Sequence, residues 1–353
     1  MSGIVGHLMY AILGARAAQS RSLVVAPVIQ RNFASYLAGA YLGCDIQTLP
    51  AALCVQTGEE VGYGSQIPER SPITGGPVRP WTLTHNDVQY TPADIHRIFY
   101  GRSHAVFGWN KRDTKHLVPW DHLPDFVANV VGDVIELFGP GERRLAYVLG
   151  WSTHIVGDAL IKSVQPGIDL HLLNGKYTPQ NRPIQDLVTF HEIGRQELGL
   201  NWENHLADLV DTPVEHAQCH YMRVSRARGR LAREFPNAWA PELQDLLLKV
   251  MAENRRYQRI RNTRLLKQLA LRRRGGQWQC SDELSRRTGG LSYTDMVTLA
   301  QRSGFRRALW QMGEAIQQLW QDVINRQALP DNWPTAASPS WSELSNKWLN
   351  PTQ

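Results

Sequence analysis

A histidine and an aspartate four residues apart, His154 and Asp158, have the residue types and the spacing of a metal-binding or catalytic pair. They lie in segment 145–162, which is mostly apolar and free of proline and therefore predicts a buried helix. Residues at i and i+4 share one helix face, so the imidazole and the carboxylate stand one above the other. A buried pair of this kind needs a divalent metal or a hydrogen bond between helices to satisfy it, and both interpretations stay open.

Further nitrogen and oxygen donors lie at predicted helix ends and in the loops beside them. The full set of candidate metal ligands is His7, Asp45, His85, His104, His154, Asp158, His171, Asp186 and His191. This set exceeds the roughly four ligands of one zinc ion. It fits a cluster of two or three ions bridged by a carboxylate, which can hold both the attacking and the leaving oxygen in phosphoryl transfer. Each histidine taken singly is also consistent with a surface position or a satisfied core position.

Three segments together resemble a known family: a first helix with His7, YLAGAYLGCD ending at Asp45, and LGWSTHIVGDALI with His154 and Asp158. Their order resembles the zinc-dependent phospholipase C family, whose wider superfamily includes the S1/P1-type nucleases. The resemblance implies an all-α fold, a multi-helix bundle, over about residues 1–200. It also implies zinc-ligand roles for these four residues, with Asp158 bridging two ions. Phosphodiester bonds would be hydrolysed by a metal-bound hydroxide, with Asp45 and Asp158 as catalytic residues.

Two places depart from the family's pattern. Where the family continues its central helix into a His-Pro pair, this chain has Lys162 and Ser163. Where it has His-x-x-x-Glu on the next helix, this chain has His191, with Arg195 at the i+4 place. A protonated lysine or arginine repels zinc and is not a ligand, so one zinc site is predicted to be lost or rebuilt. The ligands of a rebuilt site would be His171, Asp186 and His191.

The histidine that follows the Asp45 motif has two candidates, His85 in THND and His104 in GRSH. His104 is favoured because its stretch immediately precedes a helical segment, but both are retained. The cofactor predicted from the complete set is Zn²⁺, with one to three ions per chain.

The elements that must position these residues are predicted to be helices. Periodicity and capping residues indicate helices over 7–19, 26–42, 126–138, 145–162, 184–198, 204–233, 241–274 and 292–328. Thr91, with Pro92 and Asp94 after it, predicts one more helix start. Residues 56–92 are rich in Gly, Pro, Ser and Thr and are predicted to form a long irregular loop. Strand-type alternation is scarce, so the predicted fold class is all-α.

Charge is distributed unevenly along the chain. The 353 residues are 42% hydrophobic and 20% charged, which is typical of a globular protein. The net charge is +6, yet residues 222–274 alone hold fifteen Lys and Arg against four acidic residues. We predict a zinc phospholipase C-like helical domain over 1–221. A basic helical extension over 222–329 would pack on it, and a tail rich in Pro and Trp would follow over 330–353.

Cysteine usage and hydropathy bear on the compartment. The four cysteines are scattered and form no CxxC, so neither a disulfide framework nor a thiolate zinc site is predicted. No apolar run is long enough to predict a membrane span. The first twenty residues resemble a signal peptide, but they lack a basic n-region and carry His7 within the apolar run. A mature helix and a cytoplasmic protein are therefore favoured, with secretion left open.

A basic stretch over 255–274 suggests an anionic partner. Its members are Arg255, Arg256, Arg259, Arg261, Arg264, Lys267, Arg272, Arg273 and Arg274. They could meet an anionic membrane surface or a nucleic-acid backbone, or form a solvated helix face. Tyr257 and Trp278 supply little aromatic interleaving, which argues against stacking on a single strand.

The leading hypothesis is a zinc-dependent hydrolase of phosphodiester bonds, similar to phospholipase C, that acts on a lipid headgroup rather than on nucleic acid. One alternative is a P1-like nuclease, which the basic stretch would support. The other is a non-catalytic helical binding protein derived from the family, which Lys162 and Arg195 would support.

Overall fold

The computed structural model describes residues 3–42, 49–61, 67–72, 74–106, 123–138, 142–161, 181–211, 232–233, 235–237 and 240–326. These residues are mainly helical with a few short antiparallel strands, which confirms the all-α class. Within these ranges, no helix has both the length and the apolar composition needed to cross a membrane.

Secondary structure follows in chain order. The helices are α1 (Ile4–Ser20), α2 (Ala26–Arg31), α3 (Phe33–Leu42), α4 (Pro92–Val106), α5 (Leu123–Phe138), α6 (Glu142–Ile161), α7 (Asn181–Val188), a π-helix (Thr189–Glu197), α8 (Trp202–Asp211), α9 (Pro241–Leu269), α10 (Asp282–Arg287), α11 (Tyr293–Arg302) and α12 (Phe305–Arg326). The strands are β1 (Ala52–Cys54), β2 (Glu60–Val61), β3 (Val78–Pro80), β4 (Leu83–His85), β5 (Val88–Tyr90), β6 (Arg272–Arg274) and β7 (Gln277–Gln279).

The chain divides into two compact units. The first comprises residues 1–41, 118–212 and 265–353, and the second comprises 42–117 and 213–264. The predicted boundaries at 221 and 329 fall outside the described residues. The predicted division into two domains and a tail therefore stays a prediction.

Helix α1 is the core of the first unit. Fourteen of its seventeen residues are buried, because apolar side chains occur on all of its faces. It packs against α12 and α6. Two glycines permit the close approach to α12: a Cβ on Gly14 would lie 2.6 Å from the Ile316 side chain, and one on Gly313 would lie 2.9 Å from Leu13.

Two predicted helices are each divided in the structure. The helix predicted over 26–42 is interrupted at Asn32, whose backbone leaves the helical region at φ −126° and ψ 38°. The Asn32 side-chain amide joins its backbone N–H in donating to the Val28 carbonyl, each at 3.2 Å. The helix predicted from Ser292 has the expected capping box with Asp295 but ends at Arg302. Gly304, at a φ of 68°, provides the left-handed residue that ends a helix, and α12 begins after it.

The second unit corrects the prediction of a long irregular loop over 56–92. Strands β2, β1 and β3 form an antiparallel sheet, and β4 pairs with β5 across Asn86 and Asp87, both at positive φ. Strands of two or three residues are too short to show alternation in a sequence. The helix start predicted at Thr91 is confirmed: the Thr91 amide donates to the Asp94 carboxylate at 3.0 Å, and the Asp94 amide donates to the Thr91 hydroxyl at 3.2 Å.

The basic stretch is helical only in part. Helix α9 ends at Leu269, so the helix predicted to reach Arg274 is five residues too long at its end. Arg272–Arg274 form strand β6 instead, paired with β7 across Gly275 and Gly276. Both glycines have positive φ, as a tight two-residue hairpin turn requires, and this favours a hairpin over continued helix.

Candidate metal centre

Helices α3 and α6 cross with their backbones in contact. A Cβ on Gly150 would lie 1.8 Å from the Tyr36 carbonyl oxygen, and a Cβ on Gly39 would lie 2.0 Å from the Tyr147 carbonyl oxygen. Gly150 and Gly157 are two glycines in the interior of one helix, a pattern that favours close approach by another helix. Gly39 lies in a similarly small stretch, between Ala38 and Ala40. The crossing sets the position of His154, about one turn beyond Gly150 on α6.

The His154 ring is buried and fixed by a backbone carbonyl. Its Nδ1 lies 2.8 Å from the Ala40 oxygen, within the last turn of α3. A carbonyl can only accept, so Nδ1 carries a proton, and Nε2 is the nitrogen through which this ring could bind a metal. Zinc-ligating histidines show the same arrangement, in which a hydrogen bond from one nitrogen orients the ring and raises the basicity of the other.

The His7 ring, which α1 contributes, lies directly on the His154 ring. The two ring centroids are 3.9 Å apart and the planes are inclined by 5°. Tyr10 meets His7 edge-on at 5.9 Å. Gly157 provides the space for this packing, since a Cβ there would lie 2.8 Å from the Tyr10 ring and 3.6 Å from His7 Nδ1.

The parallel orientation of the two rings limits how these histidines could bind metal. The nitrogen lone pairs lie in the ring planes, and these two planes are nearly parallel, so the lone pairs of the two rings do not converge on one point. The ring spacing of 3.9 Å falls in the range of about 3.5–4 Å that separates the ions of two-metal sites. The pair therefore fits two adjacent ions, one on each histidine, better than a single shared ion.

Asp158 stands one turn after His154 on α6, and its side chain lies outside the described residues. The side chain of His104, in α4, is also outside them, as are Asp45 and His171 entirely. Among the side chains that the structure describes, no three His, Cys, Asp or Glu residues are grouped as a metal site. Of the nine predicted ligands, the structure brings together His7 and His154.

His191 lies in the π-helix and is anchored differently. Its Nε2 donates to the Leu269 carbonyl at 2.7 Å, and its ring meets Phe190 and Tyr293 edge-on. Burial, more than any other influence, lowers the pKa of His191 and keeps the ring neutral. Nδ1, the nitrogen nearer its own backbone, is then the only one left for an ion.

Asp186, the second residue of the predicted rebuilt site, is largely buried near Arg182. The guanidinium lies 3.9 Å from the carboxylate, which is 17% exposed. Desolvation raises the Asp186 pKa to about 6, against the opposing attraction of Arg182 and Arg287. These contacts account for Asp186 without a metal, and the rebuilt site stays a prediction.

Arg195, the cation at the place of the family's glutamate, has partners of its own. It pairs with Glu203 at 2.5 Å, and its guanidinium lies 4.7 Å from the centroid of the Phe190 ring. Lys162, the other cation that departs from the family's pattern, lies outside the described residues.

His85 belongs to the second unit, at the end of β4. Its ring is buried, and Nε2 donates to the Glu242 carbonyl at 3.2 Å near the start of α9. This hydrogen bond ties the β4–β5 hairpin to that helix and gives His85 a structural role within its unit.

Comparison of the chain with protein-family models, with curated proteins and with solved structures found no match. The resemblance to the zinc-dependent phospholipase C family therefore rests on the motif residues themselves.

Proposed function

We propose that this protein is a zinc-dependent hydrolase of phosphodiester bonds, similar to phospholipase C. The observation that carries the proposal is the buried stack of His7 on His154, with His154 Nδ1 committed to the Ala40 carbonyl. Two imidazoles from different helices, one with its tautomer fixed for metal binding through Nε2, match what a two-ion site needs.

The proposed ligands come from two helices, α1 and α6, and from the segment that follows a third, α3. His7 on α1 would hold one ion and His154 on α6 the other. Asp158 would bridge the two ions, and Asp45, which follows α3, would complete the site as the resemblance implies. Bound zinc supplies Lewis acidity toward a phosphoryl oxygen and lowers the pKa of a bound water.

The chain's own residues keep the site in shape. Ala40 and the close α3–α6 packing at Gly39 and Gly150 hold the His154 ring in place, and Tyr10 packs against His7. Both histidine rings are almost fully buried, at 2% and 4% exposure. Low local dielectric strengthens interactions between bound cations and a phosphate anion.

The substrate we favour is a lipid headgroup, and the P1-like nuclease is the second choice. A nuclease needs aromatic side chains or basic residues along a nucleic-acid path. Within α9, Tyr257 is buried and Arg261 is paired with Glu60 at 2.8 Å, so one arginine of the basic stretch and the aromatic residue near it are engaged inside the protein. The non-catalytic alternative loses part of its support, because Arg195 pairs with Glu203.

The test is metal content together with hydrolysis of a chromogenic phosphodiester, bis(p-nitrophenyl) phosphate. We expect about two zinc ions per chain in the wild type. His154→Ala should lose zinc, and its activity should fall by about 100-fold or more. The matched control is His205→Ala, which removes a fully buried histidine of the same unit that is not a candidate ligand.

A protein that holds no zinc when purified with zinc present, or a His154→Ala variant with full metal content, would overturn the proposal. Zinc bound without phosphodiester hydrolysis would favour the non-catalytic binding protein.

A further inference from the structure

The β6–β7 hairpin is a short basic projection of the first unit. Its register pairs Arg272 with Gln279, Arg273 with Trp278, and Arg274 with Gln277. All six side chains are exposed, while the β7 strand contacts α11.

Aromatic and cationic side chains share one face of this hairpin. Trp278 is 51% exposed and is the only aromatic residue among the exposed large hydrophobic side chains that the structure describes. It stands directly across from Arg273, and cross-strand partners lie on the same face of a sheet. Arg272 and Arg274 alternate to the other face.

The base of the hairpin is fixed while its strands are exposed. The Ser281 hydroxyl donates to the Gln268 carbonyl at 3.4 Å, and the Gln268 amide donates to the Glu283 carboxylate at 3.2 Å. Leu269, the last residue of α9, accepts the His191 hydrogen bond. These contacts tie the segments before and after the hairpin together, so the strands are presented from a defined base.

We propose that the β6–β7 hairpin docks the protein onto an anionic phospholipid surface. Arginine donates to phosphate groups in a planar, bidentate geometry, and each basic residue near an anionic bilayer strengthens binding. Indole is the side chain that prefers the boundary between headgroups and acyl chains, because it is apolar with one polar N–H. Segment 271–287 holds five arginines against two acidic residues, which complements a negative surface.

A membrane fits this geometry better than a nucleic acid does. Single strands bind along a row of aromatic platforms, and Trp278 has no exposed aromatic companion among the described residues, since Tyr257 is buried. A duplex requires several phosphate contacts spread along a groove. One indole beside a cluster of arginines suits the flat, mixed polar and apolar boundary of a bilayer.

The experiment is sedimentation of the full-length protein with vesicles of phosphatidylcholine mixed with phosphatidylserine, and with vesicles of phosphatidylcholine alone. We expect binding to the mixed vesicles only, weakening as salt is raised. The Arg272→Gln/Arg274→Gln variant should bind about 30-fold more weakly. Trp278→Ala should also bind more weakly, and this loss should persist at high salt.

The matched control is Arg302→Gln/Arg307→Gln, which removes the same charge from two other exposed positions of the unit and should bind like the wild type. His154→Ala should also bind like the wild type, which separates this proposal from the proposed hydrolase activity. The proposal would be overturned if the wild type did not sediment with the mixed vesicles, or if the hairpin variants bound them as tightly as the wild type. Hairpin variants that lose binding to an oligonucleotide but keep binding to vesicles would overturn it as well. Circular dichroism of each variant checks the fold.

Discussion

The α1–α6 contact and the π-helix each hold a buried histidine whose ring donates to a distant backbone carbonyl. His154 uses Nδ1 toward Ala40 at 2.8 Å, whereas His191 uses Nε2 toward Leu269 at 2.7 Å. The first ring lies face to face with a second imidazole, and the second ring has edge-on contacts with Phe190 and Tyr293. The hydrogen bond is of the same kind in both regions, so the two regions differ in what lies against the ring: a second imidazole at His154 and aromatic side chains at His191. Under the proposed function, this neighbour would separate a metal ligand from a structural histidine.

The largest expected effect tests the helix crossing on which the His154 site depends. Gly150→Ala should destabilise the protein by about 3 kcal/mol or more, although alanine ordinarily favours a helix. The added Cβ would lie 1.8 Å from the Tyr36 carbonyl oxygen, and a backbone cannot move as a side chain can. Urea unfolding followed by circular dichroism measures the loss.

Gly194→Ala in the π-helix is the matched control for that prediction. Its Cβ would meet the Trp202 ring at 2.6 Å, which is a side chain, so the loss should be smaller. Equal losses at the two glycines would show that the α3–α6 contact is no tighter than the packing around the π-helix.

The second prediction separates the two histidines directly. His191→Ala should keep the metal content of the wild type and lose about 2 kcal/mol of unfolding free energy, because the Leu269 carbonyl loses its donor and a cavity remains. His154→Ala should lose metal instead. Zinc analysis and urea unfolding of both variants supply the comparison.

Tyr293→Phe is the control in the same region, because it removes the 2.6 Å hydrogen bond to Glu192 and leaves the histidine in place. If His191→Ala releases about one zinc ion per chain and the control does not, His191 is a ligand and the rebuilt site of His171, Asp186 and His191 exists.

A third buried histidine, His205, has neither a carbonyl acceptor nor a stacked imidazole among the described residues, and its pKa shows the effect of burial by itself. It is fully buried against Phe33, and neither ring nitrogen has a hydrogen-bond partner among the described residues. Desolvation alone lowers its pKa to about 4. His205 therefore becomes protonated near pH 6.5 in the unfolded chain but only near pH 4 in the folded chain.

Stability should consequently fall as the pH drops through that window, by about 2 kcal/mol between pH 6.5 and pH 5 from His205 alone. Replacing it with leucine should make the pH dependence shallower in this range and leave the behaviour above about pH 7 unchanged. Urea unfolding of both proteins at several pH values is the measurement. Parallel curves would mean that His205 is solvated or paired.

Local signals predicted local structure well. The capping residues Thr91 with Asp94 and Ser292 with Asp295 both start helices, because a cap involves only residues within one turn. The close helix approach at Gly150 could also be predicted, because two glycines in a helix interior disfavour the helix unless packing requires them. The hairpin at Gly275-Gly276 could have been recognised from its dipeptide, but the surrounding basic residues suggested continued helix.

Long-range contacts account for what the sequence could not predict. The His191 ring is held by a carbonyl 78 residues away, and the His154 ring by one 114 residues away. A helical repeat places a histidine on a buried face, but nothing in the repeat specifies the atom that faces it. The stack of His7 on His154 likewise depends on how α1 and α6 pack.

The smallest expected effect concerns Arg195. Its substitution tests whether this cation lies apart from the proposed zinc site or binds the substrate phosphate there. Its ion pair with Glu203 is exposed on both sides, at 44% and 52%, so solvent screens it and Arg195→Ala should cost about 0.5 kcal/mol or less. Zinc content and kcat should stay at wild-type values, because the guanidinium is committed to Glu203 and the Phe190 face. Arg195→Lys is the control that keeps the charge and loses the planar stacking. A rise in KM for the phosphodiester in Arg195→Ala, with recovery in Arg195→Lys, would show instead that this cation holds the substrate phosphate.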